Sequence, residues 1–325
     1  MRAISVLLFL TTLISSTANA TDAQKIKLGV VTKPGSAQNI VAQKFKELIE
    51  HRSNGKFKVQ VYHSGSLGNE TELLQQVQMN TIQLAVITGG PFDTIDPIIR
   101  AISYPFLFKD NAQADEILDG PLGDKILKSL ETSGFKGLSF SENGFRNLTN
   151  SKHPVRGPDD VKGLKIRVMA SAIHRAIWKS IGANPTPMPW PIYTELEQKV
   201  IDGQENPLWV MDVYKFYEIQ KHMTLTRHVY SCHIDVASLK WWETLDKNDQ
   251  ILIRGAMREA AVFQRNDNRS KNAERLKLLK SKGMAVVENP DIEAFRAKVA
   301  NLKELDIYKA PKVKKMLIEI MEAAK

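Results

Sequence analysis

The first hundred residues of the chain alternate between a strand pattern and a helix pattern. Phe57, Val59 and Val61 alternate with polar residues, as in a half-buried strand. Residues 37–51 instead place apolar side chains three and four positions apart, as an amphipathic helix does. The pattern predicts, in chain order, strand 25–31, helix 37–51, strand 57–61, helix 70–79 and strand 84–88. This order indicates a largely parallel sheet covered by helices.

A second α/β region follows. The pattern predicts a strand at 137–142 that runs into Asn143–Arg146, a strand at 164–169, a helix at 172–181, a stiff irregular proline-rich segment at 185–191 and a helix at 193–200. Residues 247–282 contain no proline and read as one long helix of roughly 50 Å, long enough to run across two domains. Two helices broken near residues 266–268 fit the same pattern equally well.

The first twenty residues have the pattern of a secretion signal. Arg2 supplies a positive charge, residues 6–14 form a short apolar run, and residues 17–20 end in the small-x-small sequence of a cleavage site. The run is too short to span a bilayer. The sequence therefore predicts a signal peptide at 1–20, a mature chain that begins near Thr21, and a periplasmic location.

Composition narrows the class of protein further. The chain has 325 residues, of which 43% are hydrophobic and 25% are charged, as in an ordinary globular protein. The net charge of +9 is spread along the sequence and, together with export, argues against a nucleic-acid partner. Cys232 is the only cysteine, so no intramolecular disulfide is possible, and a small packed side chain is the favoured interpretation.

The motifs of the common enzyme and cofactor classes are absent from the sequence. There is no G-x-S-x-G, H-E-x-x-H, C-x-x-C, P-loop or G-x-G-x-x-G after the first strand. His228 and His233 are five residues apart, which is poor spacing for a metal site on a helix. The sequence therefore predicts a protein that is not an enzyme and that has no metal and no cofactor.

Residues suited to holding an anion remain. Arg167 lies on the polar side of strand 164–169, and a guanidinium matches a carboxylate with two parallel hydrogen bonds. Arg146 follows a predicted strand end, and Asn206 precedes a proline, which restricts its backbone. On spacing alone, an ordinary salt bridge or a turn cap is the favoured explanation for each of them.

The motifs around these residues resemble those of the solute-binding proteins of tripartite ATP-independent periplasmic (TRAP) transporters, the DctP-type family. The similarity covers essentially the whole mature chain. It rests on the ordered segments 65–68 (GSLG), 105–108 (PFLF), 142–150 (ENGFRNLTN), 163–168 (GLKIRV), 182–188 (GANPTPM), 202–207 (DGQENP) and 215–218 (KFYE).

The resemblance implies an α/β fold of the periplasmic-binding-protein type, a two-domain clamp with crossing segments and a long C-terminal helix that spans both domains. The implied domains are 21–143 plus 232–271 and 144–231 plus 272–325. In the family, an arginine at the place of Arg167 binds the ligand carboxylate in bidentate fashion, and an asparagine matching Asn206 supports the same group. An arginine matching Arg146 gives a second contact, an aromatic residue at the place of Trp190 covers the ligand, and an acidic residue matching Glu70 binds its polar groups.

One segment departs from the family pattern. Residues 189–192 (PWPI) are one residue short and contain an extra proline, which leaves the position of Trp190 open. A tryptophan there could narrow the site for a small acid or stack on an aromatic one. Trp190, Tyr193 and Trp209 are all compatible with an aromatic ligand, but all three could equally be core residues.

The resemblance also implies the partners. They are a small organic acid (a dicarboxylate, hydroxy acid, sugar acid, keto acid, aromatic acid or sulfonate) and the small and large membrane subunits of a TRAP permease. Two alternatives stay open at this point: a binding protein that feeds a signalling receptor, and a secreted enzyme on the same fold.

Overall fold

The computed structural model describes residues 23–325 of the chain. These residues contain nine strands and fourteen α-helices, together with five short 3-10 helices and the loops between them. The predicted signal peptide lies outside these residues. The strands β1–β9 are Gln24–Gly29, Phe57–Tyr62, Leu84–Thr88, Phe135–Asn150, Lys165–Val168, Asn184–Pro187, Gly203–Asn206, His222–Ser238 and Ala285–Val287. The helices α1–α14 are Ala37–Arg52, Glu70–Gln78, Gly89–Phe92, Asn111–Leu118, Pro121–Ser129, Ala172–Ile181, Tyr193–Glu197, Leu208–Val213, Leu239–Glu243, Lys247–Ser270, Asn272–Ser281, Ile292–Val299, Asp306–Lys309 and Pro311–Ala323.

All nine strands form one continuous sheet with the order β2-β1-β3-β8-β4-β7-β5-β6, and β9 pairs with β8. The sheet is parallel at both ends, where β1 pairs with β2 and β3, and β5 pairs with β6 and β7. The parallel sheet predicted from residues 25–88 is confirmed for β1, β2 and β3. In the middle of the sheet, β4 and β8 run antiparallel to each other, β8 runs antiparallel to β3, and β4 runs antiparallel to β7, whereas β9 pairs with β8 in parallel. Strands β4 and β8 have 16 and 17 residues, or roughly 50 Å each, and they are the crossing segments.

Strand β4 does not end at Glu142 as predicted. It continues to Asn150, because Gly144 has a φ of 116° that only glycine adopts readily, and the register with β8 shifts between Glu142 and Gly144. A bulge at this point bends the strand without ending it. Arg146 therefore lies within a buried strand and not in a loop past its end.

The proline-rich segment is also more regular than predicted. Asn184–Pro187 pairs with β5 as the edge strand β6. Proline is compatible with an edge strand because the side that lacks an N–H need not face another strand. The remaining residues of the segment, up to Pro191, are irregular, and the Trp190–Pro191 peptide bond is cis.

The long C-terminal helical stretch is divided at Lys271 into α10 and α11. The break lies a few residues beyond the predicted alternative, and Asn268 stays inside α10, where its side chain donates to Glu142 Oε1 at 2.9 Å. Helix α10 packs against α1 and β4, whereas α11 packs against α8. The predicted helix therefore does connect the two halves of the fold, but as two segments.

The C-terminus returns to the first half of the chain. Tyr308 donates to the carbonyl of Arg100 at 3.0 Å, and Lys125 pairs with Glu319 of α14 at 2.5 Å. The predicted domain boundaries stay a prediction. These contacts favour moving residues 306–325 from the second predicted domain to the first.

Candidate anion-binding cavity

Side chains from both halves of the chain converge on one cavity, which holds about 380 Å³ of empty space counted out to its open side. The five residues singled out from the sequence all line it: Glu70, Arg146, Arg167, Trp190 and Asn206. They come from α2, β4, β5, the irregular segment after β6, and β7. The structure thus brings together residues that are up to 136 positions apart, although their roles in binding stay a prediction.

Arg167 on β5 is a buried cation without an anionic partner. Its side chain is 3% exposed, and Nε and Nη2 donate to the carbonyl of Met188 at 3.0 and 2.6 Å. Within residues 23–325, no carboxylate lies within salt-bridge distance of it. Burial, followed by the nearby charge of Arg146, lowers the pKa of Arg167 to about 10, so the guanidinium stays protonated at neutral pH.

Arg146 on β4 is fully buried and is paired with Glu205 on β7. Its Nε and Nη2 donate to the Glu205 carboxylate, with a distance of 2.9 Å from Nη2 to Oε1. The third nitrogen, Nη1, is buried and has no hydrogen-bond partner in the described part of the chain. An unpaired donor of this kind is costly unless a bound group accepts from it.

Glu205 is held by two histidines as well as by Arg146. His228 Nε2 lies 3.0 Å from Oε2, and His174 Nδ1 lies 3.4 Å from Oε1. Burial opposes the negative charge of Glu205, but Arg146 and His174 outweigh that effect and hold its pKa well below the usual range. Burial also lowers the pKa of His228, which is therefore neutral at pH 7. Glu205 lies within the motif 202–207, but no role for it was predicted from the sequence.

Asn206 is oriented by a chain of hydrogen bonds. Its Nδ2 donates to Gln204 Oε1 at 2.6 Å, Gln204 donates to Thr149 Oγ1 at 2.7 Å, and Thr149 donates to Gln220 at 3.0 Å. Because an amide nitrogen carries two hydrogens, Asn206 keeps one N–H and its carbonyl oxygen for a ligand.

Glu70 supplies an acidic part of the cavity wall. Its Oε1 accepts from Gln38 Nε2 at 2.8 Å and from the backbone N–H of Thr88 at 2.7 Å. Burial raises the pKa of the Glu70 carboxyl, although the hydrogen bonds from Thr88 and Gln38 partly offset this effect. Gln38 Oε1 in turn accepts from Thr32 Oγ1 at 3.0 Å. The wall therefore presents mainly oxygen atoms.

Aromatic residues line part of the cavity. The Trp190 ring meets Tyr214 edge-on with centroids 4.6 Å apart, and the Arg167 guanidinium carbon lies 5.9 Å from its centroid. Trp209 Nε1 donates to the carbonyl of Asn143 at 2.9 Å. Tyr193 is not a lining residue, because it packs on Phe216.

Trp209, which the sequence left open as a ligand contact or a core residue, also lines the cavity. Five polar lining residues were not assigned to the site from the sequence: Thr32, Gln38, Thr88, Asn143 and His233. Thr32 lies in the loop after β1, and Thr88 is the last residue of β3. Asn143 lies in the family motif 142–150. For Gln38 and His233, no sequence signal pointed to the cavity.

Other features bear on alternative functions. Cys232 is buried, and burial raises the pKa of its thiol to about 12, so it is not a thiolate at neutral pH. Among residues 23–325, no cluster of three or more histidine, cysteine, aspartate or glutamate side chains could hold a metal ion. In the same residues, no helix is both long enough and apolar enough to span a membrane.

Comparison with known proteins identifies the family. The model of the bacterial extracellular solute-binding protein family 7 (DctP) matches residues 28–308. The 2,3-diketo-L-gulonate-binding periplasmic protein YiaO of Escherichia coli K12 is 34% identical over 302 residues, which is 93% of this chain and 92% of that protein. A solute-binding protein of Verminephrobacter eiseniae is 37% identical over 87% of this chain and 85% of that protein.

Solved structures agree with this result. A TRAP periplasmic solute-binding protein from Polaromonas sp. JS666 bound to D-erythronate has a TM-score of 0.87 and 35% identity, covering 91% of this chain and 98% of that one. The sugar acid binding protein DctPAm of Advenella mimigardefordensis in complex with galactonate has a TM-score of 0.88 and 34% identity, covering 93% and 99%. The predicted two-domain α/β fold and the predicted family are confirmed, and the chain belongs to the DctP family of TRAP-transporter solute-binding proteins.

Proposed function

We propose that this protein captures a small organic acid with one carboxylate in the cavity and delivers it to the membrane subunits of a TRAP permease. The observation that carries the proposal is the buried guanidinium of Arg167, which forms no salt bridge with any carboxylate in residues 23–325. A charge removed from water is costly unless it is paired. A ligand carboxylate supplies the missing partner.

The charges around the cavity favour a single carboxylate. The charge of Arg146 is already balanced by Glu205, so Arg146 offers its unpaired Nη1 mainly as a hydrogen-bond donor. Arg167 is the one cation lining the cavity whose charge is unmatched among the described residues. A second ligand carboxylate would meet the oxygen atoms of the Glu70 wall. Of the predicted acids, a dicarboxylate is therefore the least favoured.

The relatives indicate which acids to try first. Those described above bind D-erythronate, galactonate and, by name, 2,3-diketo-L-gulonate, all of which combine an acid group with hydroxyl groups. The same combination suits this cavity, which is lined both by arginines and by the oxygen atoms of Glu70 and Gln38. We therefore propose a sugar acid or related hydroxy acid as the ligand.

Closure of two domains supplies the mechanism. Glu70 and Gln38 precede the first crossing strand β4, whereas Arg167 and Asn206 lie between the crossing strands β4 and β8. All these contacts form together only when the two groups of residues approach each other. A ligand that bridges them therefore shifts the equilibrium toward the closed form, which the membrane subunits would recognise. We further propose export through the signal at 1–20 and release of the acid chemically unchanged.

Substitution of Arg167 by alanine tests this proposal. We expect the dissociation constant for D-erythronate or galactonate, measured by isothermal titration calorimetry, to rise a few hundredfold or more, since losing a buried charge partner costs roughly 3–5 kcal/mol. Arg175→Ala, on the exposed face of α6, is the matched control and should bind normally. Near-normal affinity in Arg167→Ala would exclude this arginine as the carboxylate anchor.

A further inference from the structure

His233 lines the cavity but has no role in the carboxylate site proposed above. It lies on the crossing strand β8, where it pairs with Thr88 on one side and Ser141 on the other. Its side chain is 1% exposed, and Nδ1 is buried without a hydrogen-bond partner in the described chain. Nε2 also makes no hydrogen bond to any residue within 23–325, but it is not among the fully buried atoms. A buried ring nitrogen without a partner, such as Nδ1, is destabilising unless something in the cavity binds to it.

The imidazole is neutral. Burial, followed by the positive charge of Arg146, lowers the pKa of His233 to about 3. A neutral imidazole has one N–H donor and one bare nitrogen acceptor. It cannot balance a charge, but it can both donate to and accept from a hydroxyl group, which is itself a donor and an acceptor.

The neighbouring polar groups leave this role open to His233. Gln38 Nε2 is occupied by Glu70 and by Thr88 Oγ1 at 3.4 Å, and Gln38 Oε1 is occupied by Thr32. The wall around Glu70 therefore adds acceptors and few free donors. Like Asn206, His233 is a neutral lining side chain that keeps both a donor and an acceptor unused among the residues described.

We infer that His233 contacts the bound acid and determines specificity by hydrogen bonding to one of its hydroxyl groups. This inference rests on the proposed function, because it assumes that the carboxylate of the same ligand is held at Arg167. It divides recognition into two parts: the arginines select the acid group, and His233 selects a hydroxylated chain over an unsubstituted one.

A pair of four-carbon acids tests the inference. D-erythronate carries three hydroxyl groups, and butanoate carries none. We expect His233→Leu to weaken D-erythronate binding about tenfold, as expected for one lost buried hydrogen bond. Butanoate binding should change by no more than about twofold, because it depends on the arginines alone. His153→Leu, at an exposed histidine, is the control and should leave both affinities unchanged.

The outcomes separate the inference from the proposed function. Unchanged D-erythronate affinity in His233→Leu, or an equal loss for both acids, would overturn the role of His233 while leaving the carboxylate site intact. If the wild-type protein binds no acid and Arg167→Ala changes nothing, the proposed function itself fails.

A second readout covers the case in which the leucine variant does not fold. The ring ¹⁵N resonances of His233 in the wild-type protein, assigned with His233→Asn, should shift on addition of D-erythronate as a free nitrogen becomes hydrogen-bonded. Addition of butanoate should cause no such shift. Identical ring resonances with and without D-erythronate would refute the contact.

Discussion

At the scale of single residues, the pair formed by Arg146 and Glu205 connects the stability of the fold to the shape of the site. Both side chains are fully buried, so neither charge is solvated. Glu205→Gln would remove the negative charge and leave Arg146 as an uncompensated buried cation. We expect the free energy of unfolding, measured by urea denaturation, to fall by roughly 3–5 kcal/mol.

The control for this prediction is Glu259→Gln. Glu259 pairs with Arg52 at 2.7 Å, but both side chains are well exposed, so the loss should be at most about 1 kcal/mol. Equal losses in the two variants would mean that burial does not determine the strength of the Arg146–Glu205 pair.

The sequence predicted which residues line the cavity where they lie in a family motif, and it gave no indication of the others. The position of Arg167 in the cavity could be predicted because its strand alternates and the family motif surrounds it. Glu205 lies one position from Asn206, yet its importance depends on His174, which is 31 residues earlier. His233 is one of several polar residues on β8, and only the position of the cavity distinguishes it. Roles that depend on long-range packing cannot be read from local spacing.

At the scale of elements, the crossing strands contain a further buried ionisable group. Asp235 on β8 accepts hydrogen bonds from Ser139 and Ser141 of β4 at 2.7 and 2.8 Å. Burial raises its pKa from 3.8 to about 7, although the two serines and Arg265 partly offset the effect. Because the folded state holds the proton more tightly than the unfolded state, this group stabilises the fold at low pH. That contribution is lost as the pH rises from about 4 to about 7.

Asp235→Asn should remove this pH dependence. A rise in pKa from 3.8 to about 7 corresponds to at most about 4 kcal/mol, because a tenfold change in the acid constant is worth about 1.4 kcal/mol. We expect the difference in unfolding free energy between the variant and the wild type to shift in favour of the variant between pH 4 and pH 8. Asp306→Asn, at an exposed aspartate, should cause no comparable shift. Parallel stability curves for Asp235→Asn and the wild type would contradict the prediction.

The ends of helices and strands could be predicted where a single hydrophobic period runs through the whole element. They could not be predicted where pairing with distant strands or helices sets the boundary. Helix α6 matches its predicted range, because its apolar face and Gly182 define it locally. Strand β4 extends past its predicted end because β7 and β8 pair with the residues beyond the bulge at Gly144. The break at Lys271 follows from α11 packing on α8, a contact that the helical period does not encode.

At the scale of the whole molecule, a few contacts join the residues on the two sides of the cavity. Ser171, which follows β5, donates to Asp93 Oδ2 at 2.6 Å. Lys33, in the loop after β1, donates its backbone N–H to the hydroxyl of Tyr214 at 3.1 Å, and its ammonium lies 4.7 Å from the centre of the Tyr214 ring. Tyr214 also packs on Trp190, so this contact connects the edge of the cavity to its aromatic wall.

Tyr214→Phe isolates one of these closing contacts. The substitution keeps the ring on Trp190 and removes only the hydroxyl that accepts from Lys33, so we expect a loss of about 1 kcal/mol, or roughly fivefold in affinity. The loss should appear in the dissociation rate of D-erythronate, measured by stopped-flow tryptophan fluorescence, because a less stable closed form opens more often. Tyr193→Phe removes a comparable hydrogen bond to Glu218 at 3.0 Å that does not cross the cavity, and it should leave the rate unchanged. If both variants release the ligand at the wild-type rate, closure does not depend on the Lys33–Tyr214 contact, and the Ser171–Asp93 contact becomes the next one to remove.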